Sequence, residues 1–504
     1  MIARDAPLFD ILFVRPHYEG HPPLWHLILL LPARAGLPYE PSIKTIQLIF
    51  ALAMVWLILF RSPFPRPVRL FLPFTYFFFY QYGVIARPYA MFCVAIFLTA
   101  IFWKERNEKP WRLCLAMLWM CLSTAYGIAL AGGMALAWVL PLLRQEKISF
   151  FRNGRRFLSL CFLFVCAMVL IFFILPKSDA HAVVIKDFLK SRSFLFQLLF
   201  FWIVIPSDVL CTSLSDYACI FEQQNIHSYD FISAAIVSFP VYVFLFFLCK
   251  RRKKTLLLLL PLCAMSLVSA GGYLNAHHYG ILLAFLLGIV WICLDDIPFQ
   301  TELFHKYLDK LHLSPPSRHI ISHIPHFCLI IFAVINLYWS MGAAYAELTK
   351  PYGYGRECAK YINEHHLNDY RWLEGWNIIR DKENPQDILY EDTNFANSFS
   401  ICINPYLSHN LLNNLPPEIS YATHKVSSPL QIKQNLEKWR QEPDPDIIAS
   451  SMTDYSYIIS SLAIQSDYKQ IKIASYRMIW KADPGFSYPL YIYIQTDLAG
   501  KLNL

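Results

Sequence analysis

Charged residues are scarce in this sequence. Asp, Glu, Lys and Arg make up 16% of the 504 residues, whereas hydrophobic residues make up 56%. A soluble domain usually carries about a quarter charged residues, so the composition excludes an ordinary soluble protein. Apolar runs long enough to cross a hydrocarbon layer of roughly 30 Å recur along most of the chain before residue 344. The sequence therefore predicts a membrane protein.

A cysteine framework is also lacking. The 13 cysteines lie mostly inside apolar runs, where cysteine acts as a small hydrophobic residue. No spacing typical of a zinc site or of a disulfide-rich domain is present. We therefore predict no metal site and no certain cofactor. No complete ligand set is visible, so the sequence leaves open whether a divalent metal assists.

The net charge of +8 does not indicate a nucleic-acid partner. The basic residues cluster in short loops between apolar runs, for example at 144–156 and 250–254. Such loops stay in the cytoplasm during insertion, and here every second loop is basic. This alternation predicts a multi-pass protein of the bacterial inner membrane, with residues 1–42 and the C-terminal region in the periplasm. Since nothing in 1–42 would carry it across, we expect a further helix upstream of Met1; the alternative is unaided translocation of a short polar N-terminus.

The predicted fold class is mainly α. We expect a polytopic helical membrane bundle of about ten spans, at 43–60, 68–82, 88–103, 112–125, 128–143, 157–175, 229–249, 255–271, 278–294 and 324–343. The apolar stretches 24–35 and 194–206 are shorter and are predicted to be interfacial or re-entrant helices. The predicted domains are a periplasmic loop with its interfacial helix (1–42), the bundle (43–343) and a small periplasmic α/β domain (344–504).

The predicted α/β domain rests on alternating short strands and helices. The strands are expected at Asp387–Tyr390, Tyr455–Ser460, Ile471–Trp480 and Leu490–Ile494. Helices are expected at Arg356–His365 and Ile432–Arg440.

The run Tyr18-Glu19-Gly20-His21-Pro22-Pro23 precedes an apolar helix. Proline suits the first turn of a helix, and a helix N-terminus attracts a phosphate. We therefore consider His21 a candidate phosphate-binding residue beside Glu19. The alternative is that both are ordinary interfacial side chains.

Two further stretches fall on predicted external loops. Arg87, flanked by Tyr82 and Tyr89, is placed to clamp a phosphate with its planar guanidinium, or alternatively to reach lipid headgroups. His277 and His278 precede the ninth predicted span and suit phosphate binding, proton transfer or a metal, or alternatively only an interface.

Together these stretches resemble the GT-C class of glycosyltransferases that use polyprenyl-phosphate sugars. This is the superfamily of the protein O-mannosyltransferases and the lipid A aminoarabinose transferases, including a bacterial membrane branch. The likeness is carried by residues 19–25, 85–90, 277–280 and 355–357. Two positions depart from the family pattern: Pro88 stands in place of a serine, and His277 in place of an arginine.

The resemblance implies transfer of a sugar from a polyprenyl phosphate to a glycan, lipid or protein acceptor of the cell envelope. His21, Arg87, His277, His278, Tyr82 and Tyr89 would then bind the lipid phosphate. The family's acidic catalytic pair is expected upstream of Met1, and Asp5 or Glu19 are weak substitutes. The alternatives are a non-catalytic membrane paralogue or scaffold and, less favoured, a lipid or solute transporter, since the predicted spans contain almost no ionisable residues.

Overall fold

The structure is a computed structural model. It describes residues 1–181, 183, 193–211, 228–271, 274, 276–295, 315–349, 353–374, 378–380, 388–391, 402–407, 411, 424–426, 428–450, 464–476 and 488–504. Within these residues the fold is mainly helical, with a small sheet near the C-terminus. The helices before residue 350 are Ile2–Asp5, Arg15–Glu19, Leu24–Arg34, Tyr39–Trp56, Arg66–Phe71, Tyr89–Phe102, Pro110–Ser123, Ala125–Glu146, Ser149–Arg152, Gly154–Ile174, Phe194–Leu199, Ile205–Cys211, Ser228–Arg251, Thr255–Gly271, Tyr279–Asp295 and Pro315–Thr349.

Six helices in the described part of the chain are long and apolar enough to cross a membrane. They are Tyr39–Arg61, Ala125–Glu146, Gly154–Ile174, Phe194–Cys211, Phe231–Arg251 and Phe327–Thr349. Five coincide with predicted spans. The sixth, Phe194–Cys211, was predicted to be too short because the apolar stretch was expected to end at residue 206, whereas the helix Ile205–Cys211 continues it to residue 211.

Four other predicted spans are found as helices close to their predicted bounds, but each is shorter than the six candidates. Those at 88–103, 112–125, 255–271 and 278–294 form apolar helices of 10–17 residues. A helix rises 1.5 Å per residue, so such a helix covers only part of a hydrocarbon layer of roughly 30 Å. The structure thus supports a helical bundle with six candidate spans, and the count of about ten stays a prediction.

The predicted span 68–82 is not one helix. It consists of the end of Arg66–Phe71, a 3₁₀ turn at Leu72–Phe74 and a π-helical turn at Phe77–Gln81. Pro73 has no N–H to donate and clashes with a continuing helix, which explains the break. The long helix Pro315–Thr349 supplies the missing partners: Tyr76 N donates to Asn336 Oδ1 at 3.2 Å, and Ser340 Oγ donates to the Phe74 carbonyl at 2.7 Å.

The bundle core is rich in aromatic rings, and Gly280 permits close packing against two of them. Gly280 lies in the first turn of Tyr279–Asp295, with no room for a side chain. A Cβ there would stand 2.7 Å from Phe77 Cδ1 and 2.7 Å from Tyr82 Cζ. The absence of a side chain at Gly280 therefore lets Tyr82 pack against the start of this helix.

The C-terminal region contains a four-stranded sheet and a separate ribbon. The strands are β1 (Trp372–Glu374), β2 (Ile378–Arg380), β3 (Ile388–Glu391), β4 (Ile447–Ser450), β5 (Tyr468–Tyr476) and β6 (Tyr488–Gln495). The sheet order is β1-β4-β6-β5, parallel between β1 and β4 and antiparallel elsewhere, and β2 pairs with β3. Three predicted strands are found, and Tyr455–Ser460 lies outside the described residues.

Helices cover this sheet much as the alternating pattern predicted. The helices are Gly355–Glu364, Pro429–Arg440 and Thr496–Lys501. Cys358 and Ile362 lie on one face of the first helix and are fully buried against the sheet. Ser428 and Gln431 form a capping box that begins the second helix. The periplasmic location of this region stays a prediction.

Among the described residues, contacts that join the C-terminal region to the first part of the chain include one around Glu40 and one at residues 179–181. At the first, Glu40 lies between Arg356 and Lys44: Arg356 Nε is 2.8 Å from Glu40 Oε1, and Lys44 Nζ is 2.9 Å from Glu40 Oε2. Tyr406 OH also donates to Glu40 Oε1 at 2.8 Å.

At the second place, residues 424–426, which we call the strap, pair with residues 179–181. Ala180 and Lys425 form an antiparallel bridge. Its hydrogen bonds run from His181 N to the His424 carbonyl at 3.0 Å and from Val426 N to the Asp179 carbonyl at 2.8 Å. The strap is therefore held by its backbone.

Candidate functional site

His277 and His278 lie in a 3₁₀ turn, Ala276–His278, immediately before the helix Tyr279–Asp295. Both side chains are buried, at 8% and 2% exposure, and their ring centroids are 4.0 Å apart. Two adjacent imidazoles in a buried turn disfavour a second positive charge, and burial followed by the charge of His278 lowers the pKa of His277 well below its usual value. Neutral imidazoles in this position can still donate hydrogen bonds to an anion.

Three tyrosine rings fix the histidine pair in place. Tyr82 and Tyr89 stack with ring centroids 5.1 Å apart, and Tyr89 lies 5.6 Å from the His277 ring. Tyr126 lies 5.1 Å from the His278 ring. Tyr82 OH donates to the His277 carbonyl at 3.0 Å, so the turn is held by a buried hydrogen bond as well as by packing.

His21 and Arg87 approach this pair from two other segments. The His21 ring lies 6.1 Å from the His278 ring. Burial is the main cause that lowers the pKa of His21 to about 4; the charge of Glu19 acts in the opposite direction, and that of Arg87 contributes to the lowering. The Arg87 charge also contributes to the lowered pKa of His277. Arg87 itself is exposed and forms no hydrogen bond or ion pair with another described residue.

Glu19 is the carboxylate whose charge acts on His21. Its Oε2 lies 2.8 Å from His26 Nε2, and its side chain is only 10% exposed. Burial acts to raise the pKa of Glu19, but the hydrogen bond and charge of His26, with smaller contributions from His424 and His21, leave it lowered. Glu19 is therefore ionised at neutral pH, and the imidazoles of His26, His424 and His21 interact with its charge.

The structure brings most of the predicted site residues together. His21, Arg87, His277, His278, Tyr82, Tyr89 and Glu19 interact directly or through their charges. Asp5 is placed differently, because it forms a two-point pair with Arg4, at 2.7 and 3.1 Å. Tyr273 and Asn275 of the third predicted stretch lie outside the described residues. The roles assigned to these side chains stay predictions.

Sequence reasoning missed three contributors: His26, Tyr126 and His424. Glu19 ends the helix Arg15–Glu19 and His26 lies in the first turn of Leu24–Arg34, so their contact depends on the turn between these two helices and not on a helical spacing visible in the sequence. Tyr126 and His424 carry no local motif. His424 reaches the site only because the strap pairs with residues 179–181, a contact between segments more than 200 residues apart.

A buried acid within a candidate span was also missed. Asp208 lies in the helix Phe194–Cys211 and is 2% exposed. The predicted stretch ended at residue 206 and so did not include Asp208. The observation weakens the argument against a transporter, since that argument relied on spans with almost no ionisable residues.

The arrangement of these side chains suits the binding of an anion that carries an adjoining polar group. Arg87 supplies a permanent charge, the imidazoles supply directional donors, and the tyrosine rings exclude water. The described residues contain no group of three or more His, Cys, Asp or Glu side chains that could hold a metal ion. No family model, curated protein or solved structure matches the chain.

Proposed function

We propose that this protein is an integral membrane glycosyltransferase of the GT-C type. It would transfer a sugar from a polyprenyl phosphate to an acceptor in the cell envelope, on the periplasmic face of the bacterial inner membrane. The observation that supports the proposal is the convergence of His21, Arg87 and the His277–His278 pair. These residues come from three distant segments, and each was singled out from the sequence by a motif.

The departing group in such a reaction is a lipid phosphate that gains negative charge. Arg87 and the imidazoles would stabilise that charge, because donors aimed at a developing charge are most effective where water is excluded. His278 is packed by Tyr89 and Tyr126, so its position does not depend on the ligand. Preorganisation of this kind lowers the barrier without a cost at the moment of reaction.

The lipid chain would lie along the apolar helix Leu24–Arg34, which begins immediately after His21, Pro22 and Pro23. Leu31 on this helix is 74% exposed. An exposed leucine on an apolar helix is favourable only against lipid or another apolar surface. A polyprenyl chain on this helix would leave its phosphate near His21.

We assign the catalytic base to neither of the two carboxylates considered. Asp5 is held by Arg4, and Glu19 by His26. A carboxylate whose pKa is lowered by such a partner is a poor proton acceptor, although it remains a good hydrogen-bond acceptor. Glu19, rather than Asp5, is the carboxylate that would face the bound donor.

The experiment is transfer of radiolabelled sugar from a polyprenyl phosphate donor to envelope acceptors, with the protein in bilayer discs mixed with membranes. Arg87→Ala and His278→Ala are each expected to lower the rate by roughly 10²-fold, as loss of one donor to a developing charge does. Lys360→Ala is the control, because Lys360 is an exposed residue 3.6 Å from Glu364. Unchanged transfer in both site variants would refute the proposal.

A further inference from the structure

Two buried polar atoms beside the histidine cluster have no hydrogen-bond partner among the described residues. They are Glu19 Oε1 and His21 Nδ1. The other carboxylate oxygen of Glu19 is held by His26, so the side chain is fixed while Oε1 stays unmatched. Leaving a buried charged acceptor unmatched is costly, which indicates that a ligand supplies the missing donor.

The strap lies beside these atoms. His424, its first residue, interacts through its charge with both Glu19 and His21. The backbone of His424 adopts a left-handed conformation, with φ of 51°, that is uncommon for residues other than glycine, asparagine and aspartate. Such a conformation persists only where surrounding contacts enforce it, and here the bridge to residues 179–181 does so.

We propose that Glu19, His21 and His424 form the subsite for the sugar ring of the donor. Glu19 Oε1 accepts a hydrogen bond from a sugar hydroxyl, and the strap covers the ring. The inference rests on the proposed function, because a sugar is attached directly to the phosphate that Arg87 and His278 would bind. His21 joins the two parts, since its ring lies 6.1 Å from that of His278.

The charges around this subsite select the class of ligand. A second phosphate is disfavoured by the ionised Glu19 carboxylate. A cation is disfavoured by the positive charges of Arg87 and Arg15. A neutral ring with several hydroxyl groups fits, because a hydroxyl can donate to Glu19 Oε1 and accept from an imidazole N–H.

The test is equilibrium binding of two kinds of lipid to the full chain in bilayer discs. One is bare polyprenyl phosphate, and the other is the same lipid carrying glucose, mannose, galactose or N-acetylglucosamine. The proteins are wild type, Glu19→Gln, His424→Asn and Lys425→Ala. Asparagine tolerates the left-handed backbone of His424 but has no imidazole. Lys425→Ala is the matched control within the strap, where the Lys425 side chain faces Asp179 at 3.5 Å.

Wild type is expected to bind at least one sugar-bearing lipid roughly 10-fold more tightly than the bare lipid, as one hydrogen bond to a charged group provides. Glu19→Gln and His424→Asn should remove most of this preference and leave the affinity for the bare lipid equal or higher. Lys425→Ala should keep it. Equal affinities of wild type for all the lipids, or equal losses for bare and sugar-bearing lipids, would overturn the subsite. Failure of the bare lipid to bind would instead overturn the proposed function, and the subsite with it.

Discussion

In the candidate site, His277 and His278 are buried among tyrosine rings and held by a hydrogen bond from Tyr82. Where the C-terminal region contacts the helix Tyr39–Trp56, Glu40 and Arg356 form an ion pair in which the Arg356 side chain is 60% exposed. Buried packing is dense and has few alternatives, whereas an exposed ion pair contributes little and exchanges with water. The bundle side is therefore fixed, and the C-terminal side is attached by contacts that can be released.

This difference matches what each side would do under the proposed function. The phosphate group is common to all polyprenyl-phosphate donors, so a fixed binding site suits it. The sugar and the acceptor vary, and a region attached by weaker contacts can change its residues without disturbing the core. Four experiments test the contrast, in order of decreasing effect.

The largest effect is expected from Gly280→Ala. The added methyl group would lie too close to the rings of Phe77 and Tyr82, and these packed rings cannot both move away. We therefore expect the free energy of unfolding to fall by about 3 kcal/mol or more. Thermal unfolding in detergent measures it. Gly132→Ala is the control, because nothing lies within 4 Å of a Cβ at that position. Equal unfolding temperatures for the two variants would mean that the tyrosine packing is not tight.

The second experiment uses pH. In the empty site burial lowers the pKa of His21 to about 4, so the ring is neutral at pH 7. A bound phosphodiester would favour the charged ring and raise this pKa. Binding would then take up a proton, and affinity should rise roughly 10-fold from pH 7 to pH 5. Measuring the Kd of a sugar-bearing lipid avoids titration of the phosphate itself.

The pH dependence should depend on His21. Glu19, Arg87, His26 and His424 also act on its charge, and His277 lies in the same cluster, so some slope will remain without it. His21→Gln is expected to flatten most of the rise between pH 7 and pH 5. If the affinity of this variant rises between pH 7 and pH 5 as steeply as that of wild type, a group other than His21 takes up the proton.

Tyr82→Phe should have a smaller effect. It removes the hydroxyl that donates to the His277 carbonyl and keeps the ring, so we expect a loss of about 1 kcal/mol in the free energy of unfolding. If the turn Ala276–His278 moves as a result, lipid binding should weaken as well. The control is Tyr338→Phe, on a side chain that is 71% exposed. If Tyr82→Phe behaves like this control, the hydrogen bond does not hold the turn.

The smallest effect is expected from Glu40→Gln. The Glu40–Arg356 pair is partly exposed, so its loss should cost less than about 1 kcal/mol and should matter less at high salt. Proteolysis of the C-terminal region at low and high salt measures its attachment. Glu364→Gln, in an exposed pair with Lys360, should change nothing. A large effect of Glu40→Gln at all salt concentrations would show that the two sides do not differ as described.

The sequence predicted the parts of the site that depend on local motifs. His21, Arg87 and the histidine pair each stand beside proline, tyrosine or glycine in short runs, and the structure brings them together. The helical bundle followed from apolar length. The site motifs are local in sequence, and the helices depend on hydrophobicity that persists along each apolar run.

What could not be predicted depends on contacts between distant segments. The break at Pro73 is tolerated because Asn336 and Ser340 supply hydrogen bonds from another helix. His424 has no signal of its own, and its backbone conformation is imposed by residues 179–181. The end of the helix at residue 206 was placed too early because Ile205, Pro206 and Ser207 resemble a stop signal, although proline is tolerated where neighbouring helices pack against it.

The strap also sets an order of events in biosynthesis. A ribosome makes Glu19 and His21 long before His424, and the bridge between Ala180 and Lys425 cannot form until the later segment has emerged. During that interval the ionised carboxylate of Glu19 and its imidazole partners stay uncovered. A newly made chain thus meets its lipid environment with this part open, until the strap has been synthesised and has paired with residues 179–181.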